Sequence, residues 1–600
     1  MEKAATFAYK TLAAPMLIGT LVTIAGFVPI GFARSSAGEY TFSIFAVVAI
    51  ALIVSWFVAV IFAPLLGMAI LKPPKEQKEE KPGRVLQVYS AFLSAAMRAK
   101  WLTIALTVAA FVAAVFLVRF VPQQFFPASD RPELLVDLTL PQNSSIFASE
   151  TTAKRVEEVL AKDEGIDRWS TYIGRGAIRF YLPLNAQLPN PFFAQIVIVA
   201  KDVAARDRLQ VKLETLLAED FPNVVARVYP LELGPPVGWP LQYRVSGPDI
   251  EEVRRIALEV AQTIAKDSRA RLINYDWMEP GREMRVKIDQ DQARRLGVSS
   301  AAIAAVLNAS VSGSVVTQVR DDIYLINVVA RAVDEQRMSL TALRGLQVPL
   351  PNGRTVPLSQ FATFESQQEY PLVWRRDRVP TLTVRADVAP DVLPDEVVST
   401  LAPEFEKLNA TLPKPYRVVT GGIFEESAKS QASVVAVVPL MIVLMLTVMM
   451  LLLVSFRRLG MVVSLLPLGL IGVVAALLIS GRPLGFVAIL GILSLMGMIA
   501  KNAVILIVQI ESDRAEGRSV RDAVMSASTS RLRPMMLTAI STVLGLIPIA
   551  PTVFWGPMAF AIMGGLLVAT LLTLVFLPTL YVTFIKDDPA PKPQAAPASA

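Results

Sequence analysis

Long apolar runs occur in both end regions of this 600-residue chain, and a polar block between residues 122 and 433 separates them. A helix rises about 1.5 Å per residue, so roughly 20 apolar residues cross a hydrocarbon layer about 30 Å thick. The runs that meet this length are residues 12–33, 43–71, 101–121, 434–455, 460–480, 486–510, 535–554 and 558–583. The pattern therefore predicts a membrane protein with an α-helical transmembrane bundle of eight spans and one large α+β region outside it.

Within the polar block, apolar side chains alternate as in strands and then recur at helical spacing, and this sequence of patterns occurs twice. The first unit is residues 122–240, and the strand-like runs between its two helices are residues 168–173, 178–184 and 192–199. The second unit comprises residues 241–279 and 369–425, with residues 280–368 inserted between its halves. The order β-α-β-β-α-β is that of ferredoxin-like domains, so we predict two such subdomains and one inserted subdomain.

Basic residues concentrate in alternate loops between the apolar runs. They are Lys72, Lys75, Lys78, Lys81, Arg84, Arg98, Lys100, Arg457, Arg458, Arg514, Arg518, Arg521, Arg531 and Arg533. By the positive-inside rule, these loops and both chain ends are predicted to be cytoplasmic and the polar block to be outside. Residues 1–121 then hold three spans and a cytoplasmic loop at 72–100, residues 426–585 hold five spans, and the Pro- and Ala-rich tail 586–600 is expected to be disordered.

The composition excludes several kinds of chemistry, because the chain contains no Cys and no His. Disulfides, thiolate or His metal sites, His-dependent catalytic triads and His proton relays are therefore excluded, and a proton carrier must be Lys, Asp, Glu, Tyr or water. The net charge of +7 does not indicate nucleic-acid binding, since the basic residues lie largely beside apolar helices. No Met-rich doublet indicates a soft-metal channel, and no Gly-rich loop indicates an ATP site. We therefore do not predict an enzyme.

The stretch from Gly497 to Gln509 carries the only charged residue deep inside an apolar run, Lys501. Its distance in sequence from Glu511 places the ammonium roughly 15 Å inside the bilayer, too deep for snorkelling to the interface. A lone cation at that depth costs about 2.5–3.5 kcal/mol. Because none of the eight runs contains Asp or Glu, Lys501 is predicted to belong to a proton or ion relay whose acidic partner lies outside this sequence.

Hydroxyl side chains in the seventh run are candidate partners of that relay. Thr538, Ser541 and Thr542 fall on roughly one helix face, where they could donate to a carboxylate or hold water. The alternative is that each hydroxyl bonds to a carbonyl of the preceding turn.

Two weaker signals occur in the first outer unit. The run Gly174-Arg175-Gly176 could form a flexible gate or simply a turn. Aromatic residues cluster nearby and would suit a pocket for apolar cargo, but a protein core needs them equally; they are Trp169, Tyr172, Phe180, Tyr181, Phe192 and Phe193.

Several stretches resemble the C-terminal half of resistance-nodulation-division (RND) efflux pumps of the hydrophobe/amphiphile type. They are Gly497-Met-Ile-Ala-Lys-Asn-Ala-Val-Ile-Leu, Arg531-Leu-Arg-Pro-Met-Met-Leu-Thr538, Phe125-Phe126-Pro127, Lys287-Ile-Asp-Gln-Asp-Gln-Ala-Arg-Arg-Leu-Gly297-Val and Met563-Gly-Gly-Leu. The resemblance implies that the eight runs are spans five to twelve of such a pump, that the two outer units are porter subdomains and that the insert is the docking subdomain. An N-terminal half with spans one to four and an aspartate pair would be missing.

The same resemblance implies a proton relay of Lys501, Asn502, Arg531 and Thr538, driven by the proton-motive force without a cofactor. Residues Trp169, Tyr172 and 174–176 would lie on the substrate pathway. One departure is Val508, where related pumps often have an acidic residue.

The implied pump is a homotrimer in the bacterial inner membrane, in contact with membrane lipid and with its large region in the periplasm. It works with a periplasmic adaptor protein and an outer-membrane channel, and it exports hydrophobic or amphiphilic compounds such as drugs, detergents and biocides. Two alternatives stay open at this point: a non-transporting remnant or assembly subunit, and a lipid or metal exporter of the same superfamily.

Overall fold

The computed structural model describes residues 2–70, 83–127, 129–235, 237–277, 279–337, 339–370, 372–389 and 392–585, with side chains from residue 13 onward. Residues 72–82 of the predicted cytoplasmic loop and the predicted disordered tail at 586–600 lie outside these residues. The chain divides into two compact units. The first comprises Met1–Thr139, Ile146–Asp276 and Arg375–Ala600, and the second comprises Leu140–Ser145 and Trp277–Trp374.

The α-helices are α1 (Glu2–Phe32), α2 (Ser36–Ile70), α3 (Arg84–Arg98), α4 (Lys100–Leu117), α5 (Ile146–Leu160), α6 (Val203–Asp220), α7 (Ile250–Ala265), α8 (Gln290–Arg295), α9 (Ser300–Val311), α10 (Asp334–Arg337), α11 (Leu340–Arg344), α12 (Pro394–Thr411), α13 (Gly422–Leu453), α14 (Phe456–Leu465), α15 (Gly469–Ser480), α16 (Phe486–Ala515), α17 (Val520–Leu546) and α18 (Gly556–Phe584). The strands are β1 (Glu133–Thr139), β2 (Ile166–Ile173), β3 (Phe193–Ala200), β4 (Val225–Pro230), β5 (Leu241–Ser246), β6 (Ala270–Tyr275), β7 (Gly281–Ile288), β8 (Ser314–Asp321), β9 (Tyr324–Ala330), β10 (Gln347–Pro349), β11 (Thr355–Pro357), β12 (Ala362–Glu369), β13 (Arg375–Arg376), β14 (Val379–Val388) and β15 (Arg417–Gly421).

Seven segments of the described chain are helical, long and apolar enough to cross a membrane. They are Ala13–Phe32, Ser36–Ile70, Lys100–Phe120, Gly422–Leu453, Phe456–Ser480, Phe486–Ala515 and Gly556–Phe584. The prediction of eight spans is not confirmed, because residues 535–554 do not form a separate apolar helix. They cover the second half of α17, whose first half carries charged residues, and the turns that follow it.

The apolar helices differ in how far they are enclosed by their neighbours. In the most apolar window of α16, 61% of the residues are buried, and in that of α18 56% are buried, whereas the window in α2 has none. Helices α16 and α18 therefore form the interior of the bundle, and α2 presents its apolar side chains outward. That outward surface is what a hydrocarbon solvent accommodates, since exposed apolar side chains carry no penalty in lipid.

The region between the second and third predicted spans contains a helix that the sequence analysis did not predict. Helix α3 packs its buried residues Leu93, Ala96 and Met97 toward α17 and α18. Tyr89 Oη donates a hydrogen bond of 2.8 Å to the carbonyl of Leu574. The predicted loop at 72–100 is therefore helical over its second half.

The polar part of the first unit contains two antiparallel sheets with the same strand order. One runs β2-β3-β1-β4, and the other runs β6-β14-β5-β15 with the two-residue β13 beside β14. Helices α5 and α6 connect strands of the first sheet, and α7 and α12 connect strands of the second. Helix α7 begins after Asp249, whose side chain accepts a hydrogen bond of 2.8 Å from the Glu252 amide.

One predicted strand, residues 178–184, is wrong. The segment pairs with no strand in the described part of the chain, and it leaves Ile178 and Leu182 exposed. Both edges of β3 are occupied by β2 and β1, so no edge of that strand is available to it. Pro183 within the run also lacks the amide that a ladder needs.

The second unit folds around its own apolar core. Strand β7 pairs with β12, β8 pairs with β9, and β10 pairs with β11. The core residues are Ala293, Val298, Ile303, Val348, Leu358, Phe361 and Ala362. This unit corresponds closely in sequence to the predicted insert at 280–368.

A buried ion pair connects the two sheets of the first unit. Arg227 of β4 donates from Nε to Asp387 Oδ2 of β14 at 2.8 Å and from Nη1 to the Gly238 carbonyl at 3.0 Å. The side chains are 7% and 19% exposed, respectively. Removing one partner of such a pair leaves an uncompensated charge out of water, which costs more than losing an exposed pair.

We expect Asp387→Ala to lower the free energy of unfolding by about 3 kcal/mol, because Arg227 then stays buried without the carboxylate to which it is hydrogen-bonded. Asp167→Ala is the matched control, since its pair with Arg168 is 53% and 73% exposed and such pairs contribute less than about 1 kcal/mol. Urea titration of the detergent-purified protein measures both. Equal losses in the two variants would contradict the assignment of Arg227 and Asp387 as the link between the sheets.

Candidate functional site

Helices α1 and α16 cross with almost no side chain between them. A Cβ added to Gly497 would lie 2.9 Å from Thr23 Cα, and one added to Gly26 would lie 3.1 Å from the Leu493 carbonyl oxygen. Thr23 Oγ1 donates to the Gly19 carbonyl at 2.8 Å, so its hydroxyl is satisfied within α1. Small residues at such positions let helix backbones approach closely, which is the main attraction available between helices in lipid.

Lys501 lies one helical turn beyond this crossing. A Cβ at Gly19 would come within 2.8 Å of Lys501 Cγ, so the lysine stem packs directly on the glycine backbone of α1. Lys501 is half-buried, and among the residues that the structure describes it has no hydrogen-bond or ion-pair partner. Asn502, beside it, is also half-buried and makes no side-chain hydrogen bond within the same residues.

A polar chain begins about two turns further along α16. Arg531 Nη2 donates to Gln509 Oε1 at 2.5 Å, and Gln509 Nε2 donates to Asp513 Oδ1 at 2.8 Å. Asp513 is 5% exposed and also accepts from Arg518 Nη1 at 3.4 Å. The predicted relay residue Arg531 is thus connected to a buried carboxylate through a neutral amide, a connection that the sequence analysis missed.

A second polar group ties α16 to α14 and α18. Glu511 accepts from Arg458 Nη2 at 2.7 Å and from the hydroxyl of Tyr581, which is fully buried. Arg514 Nη1 donates to Tyr581 Oη at 3.3 Å. The spacing of Glu511, Asp513 and Arg514 at the end of an apolar run was the sequence signal for this cluster.

The hydroxyls of α17 bond to their own helix. Thr538 Oγ1 donates to the Pro534 carbonyl, and Ser541 and Thr542 both donate to the Thr538 carbonyl, each at 2.9 Å. This is the alternative that the sequence left open for these residues. Thr538 is exposed, and among the described residues it makes no hydrogen bond to Lys501.

The residues predicted for a substrate pathway lie on two different faces of the first sheet. Trp169 packs beside the core between the sheet and helices α5 and α6, whereas Tyr172 packs against the cluster around Leu135 and Tyr229 on the opposite face. Gly174 has a φ of +71°, which favours glycine in the turn after β2.

The other residues of the predicted pathway and of the aromatic cluster beside it also lie in different environments. Arg175 is exposed, Gly176 is buried against Gln187, and Phe180 is 47% exposed. Tyr181 Oη donates to the Glu232 carbonyl at 2.8 Å. These aromatic residues therefore form parts of cores and loops rather than one pocket.

A cleft of 240 Å³ lies where both sheets meet the start of the bundle in the first unit. Its apolar lining includes Phe125 and Phe126, and its charged lining includes Arg227 and Glu232. Burial raises the pKa of the Glu232 carboxyl above its ordinary value. The cleft thus combines apolar surface with five charged side chains, which are Glu214, Arg227, Glu232, Arg271 and Asp387.

We expect Gly497→Leu to destabilise the protein by about 1–3 kcal/mol, because the new side chain forces α1 and α16 apart. Gly545→Leu is the matched control, since a Cβ at that helical glycine meets no atom within 4 Å. Thermal unfolding in detergent distinguishes the two variants. An unchanged midpoint for Gly497→Leu would show that the close crossing contributes nothing.

Comparisons with known proteins agree with one another on the fold. Among curated proteins, the swarming motility protein SwrC of Bacillus subtilis (strain 168) is 24% identical over 613 residues, which cover 96% of this chain and 55% of SwrC. Two crystal structures of a heavy metal efflux pump, crystal forms I and II, match with TM-scores of 0.75 and 0.73 at 23% identity. They cover 96% and 95% of this chain but 59% and 58% of the pump chains.

This chain therefore spans between half and three fifths of the length of the proteins that it matches. The sequence model of the AcrB/AcrD/AcrF family, which comprises RND permeases, matches residues 1–585. Because that match extends over nearly all of the 600 residues, the chain belongs to the AcrB/AcrD/AcrF family.

Proposed function

We propose that this chain is the C-terminal part of a proton-driven RND exporter. The observation that carries the proposal is Lys501, a cation in the most enclosed helix of the bundle with no partner among the described residues. A charge in that position costs about 2.5–3.5 kcal/mol and is retained in membrane proteins mainly for function. Since no Asp or Glu occurs in the eight apolar runs, the carboxylate that pairs with Lys501 comes from polypeptide outside these 600 residues.

In this mechanism the carboxylate alternately binds a proton and Lys501. When the proton arrives, the ion pair with Lys501 is lost, and the change in charge shifts the helices that pack on α16. Arg531, Asn502 and Thr538 complete the relay, with Arg531 reaching a buried carboxylate through Gln509. The proton-motive force supplies the energy without a cofactor.

The remaining architecture follows the same proposal. Residues 535–554 cross the membrane as an eighth span, the two repeated sheets are ferredoxin-like porter subdomains, and the second unit is the docking subdomain. The basic loops and both ends of the chain face the cytoplasm, and the sheets lie in the periplasm. RND pumps act as trimers with adaptor and outer-membrane proteins, and we assign this chain to such an assembly in the inner membrane.

For the cargo we propose hydrophobic or amphiphilic compounds, including drugs, of the hydrophobe/amphiphile type. The cleft beside Phe125, Phe126 and Glu232 supports this choice, because it combines apolar walls with charged side chains, as the two ends of an amphiphile require. Metal ions are the second candidate, since the two structures that this chain resembles are crystal forms of a heavy metal efflux pump. A lipid exporter and a non-transporting subunit are the other candidates, and the experiments below test the second of them.

Lys501→Met in the native host should abolish efflux of an amphiphilic dye while leaving the amount of protein unchanged. Removal of a buried cation relieves its desolvation cost, so we expect thermal stability equal to or above that of the natural protein. Lys407→Met is the matched control, because Lys407 lies in an exposed ion pair of the outer region. Dye efflux is measured with and without an uncoupler, and tolerance of copper and zinc is measured in parallel.

The results of that experiment distinguish the relay, the cargo and a non-transporting role. Dye efflux and metal tolerance that both persist at the natural level in Lys501→Met contradict the relay. Loss of metal tolerance with unchanged dye efflux assigns the cargo to metal ions, and no phenotype on deletion of the whole gene assigns a non-transporting role.

Thr538→Ala should reduce dye efflux strongly, and Thr538→Ser should preserve it, because the relay needs the hydroxyl. Thr542→Ala is the control, since its hydroxyl makes the same kind of bond within α17, also of 2.9 Å. The two alanine variants therefore lose equal local hydrogen bonding. Equal effects on efflux would show that Thr538 serves only its own helix.

A further inference from the structure

A cleft of 720 Å³ opens between the first turns of α14 and the last turns of α18. It is lined mainly by Arg457, Gly460, Met461, Ser464, Leu580 and Phe584. The α14 residues among these follow the spacing i, i+3, i+4 and i+7, so they share one helix face. One candidate span begins at Phe456 and another ends at Phe584, so the cleft lies at the level of the lipid headgroups.

Two neighbouring arginines at this end of α14 have different partners. Arg458 is occupied, since it donates to Glu511 Oε2 at 2.7 Å and to the Leu453 carbonyl at 3.2 Å. Arg457 is exposed, and it makes no hydrogen bond or ion pair within the described ranges of the chain. The cleft is therefore lined by a guanidinium that no described carboxylate neutralises.

The cleft also has room and apolar walls beside this charge. A Cβ added to Gly460 would meet no atom of the described residues within 4 Å, so they leave the helix face next to Arg457 open. Phe584 is 54% exposed and, with Met461 and Leu580, covers the wall between the helices. An occupant that matches these features carries a negative charge at one end and an apolar chain at the other.

We propose that this cleft binds an anionic phospholipid, with the headgroup phosphate on Arg457 and an acyl chain along Met461, Leu580 and Phe584. A guanidinium holds phosphate oxygens by paired charge-assisted hydrogen bonds. Basic pockets between membrane helices bind acidic headgroups by the same chemistry. The site is separate from Lys501 and from the cleft between the sheets, so it does not depend on the proposed transport function.

The test is native mass spectrometry of the delipidated full chain in detergent, with dioleoyl-phosphatidylglycerol or dioleoyl-phosphatidylcholine added. One unpaired arginine at the membrane surface favours the anionic lipid roughly fivefold for the first molecule bound. Arg457→Gln should abolish that preference. Arg533→Gln is the matched control, because Arg533 is exposed, has no partner among the described residues and does not line the cleft.

Gly460→Leu tests the cleft without changing any charge. It fills the open helix face, so the anionic preference should fall although Arg457 is intact. Unchanged preference in both Arg457→Gln and Gly460→Leu would overturn the proposal, as would displacement of the lipid by millimolar inorganic phosphate.

A third result concerns the chain itself, whose last residues include Asp587 and Asp588. If the preference appears only after residues 586–600 are removed, the natural occupant is the end of the chain and the proposal is wrong. An equal preference in the shortened and full chains supports the lipid.

Discussion

The bundle depends on the close approach of two helix backbones, α1 and α16. In lipid, burial of apolar side chains between helices gains little, so packing and backbone contact supply much of the attraction. Gly26 and Gly497 allow that contact, and an added Cβ at either position would be within 3.1 Å of the other helix. The same geometry places Lys501 against Gly19, which means that one packing constraint creates both the stability of the crossing and the environment of the cation.

The charged residues of α16 differ in whether they have hydrogen-bond or ion-pair partners. At its end, Glu511 accepts from Arg458 of α14 and Tyr581 of α18. Asp513 accepts from Gln509 and Arg518, and Gln509 in turn accepts from Arg531 of α17. Farther into the bundle, Lys501 has none among the described residues. A bundle selected only for stability satisfies its polar groups or replaces them with apolar ones, so the contrast between the two regions favours a working role for Lys501.

The outer region repeats one topology twice and joins the copies by a charged pair. Arg227 and Asp387 lie on strands of different sheets, and both side chains are largely buried. Separation of the pair would therefore leave each charge out of water without its partner. The inserted segment does not disturb the second sheet, because it forms a separate unit with its own core around Ile303 and Phe361. The insert therefore interrupts the second copy in sequence without changing the strand order of its sheet.

The sequence by itself determined the apolar helices, the two repeated β-α-β-β-α-β patterns and the isolated Lys501, because periodicity and charge are local properties of a chain. The tertiary structure decided the features that depend on contacts between elements. Residues 178–184 are irregular because β3 has no free edge. Thr538 is hydrogen-bonded to its own helix, and Trp169 and Tyr172 lie on opposite faces of a sheet. Partners distant in sequence, such as Gln509 with Arg531 and Glu511 with Tyr581, depend on helix packing, which no single stretch encodes.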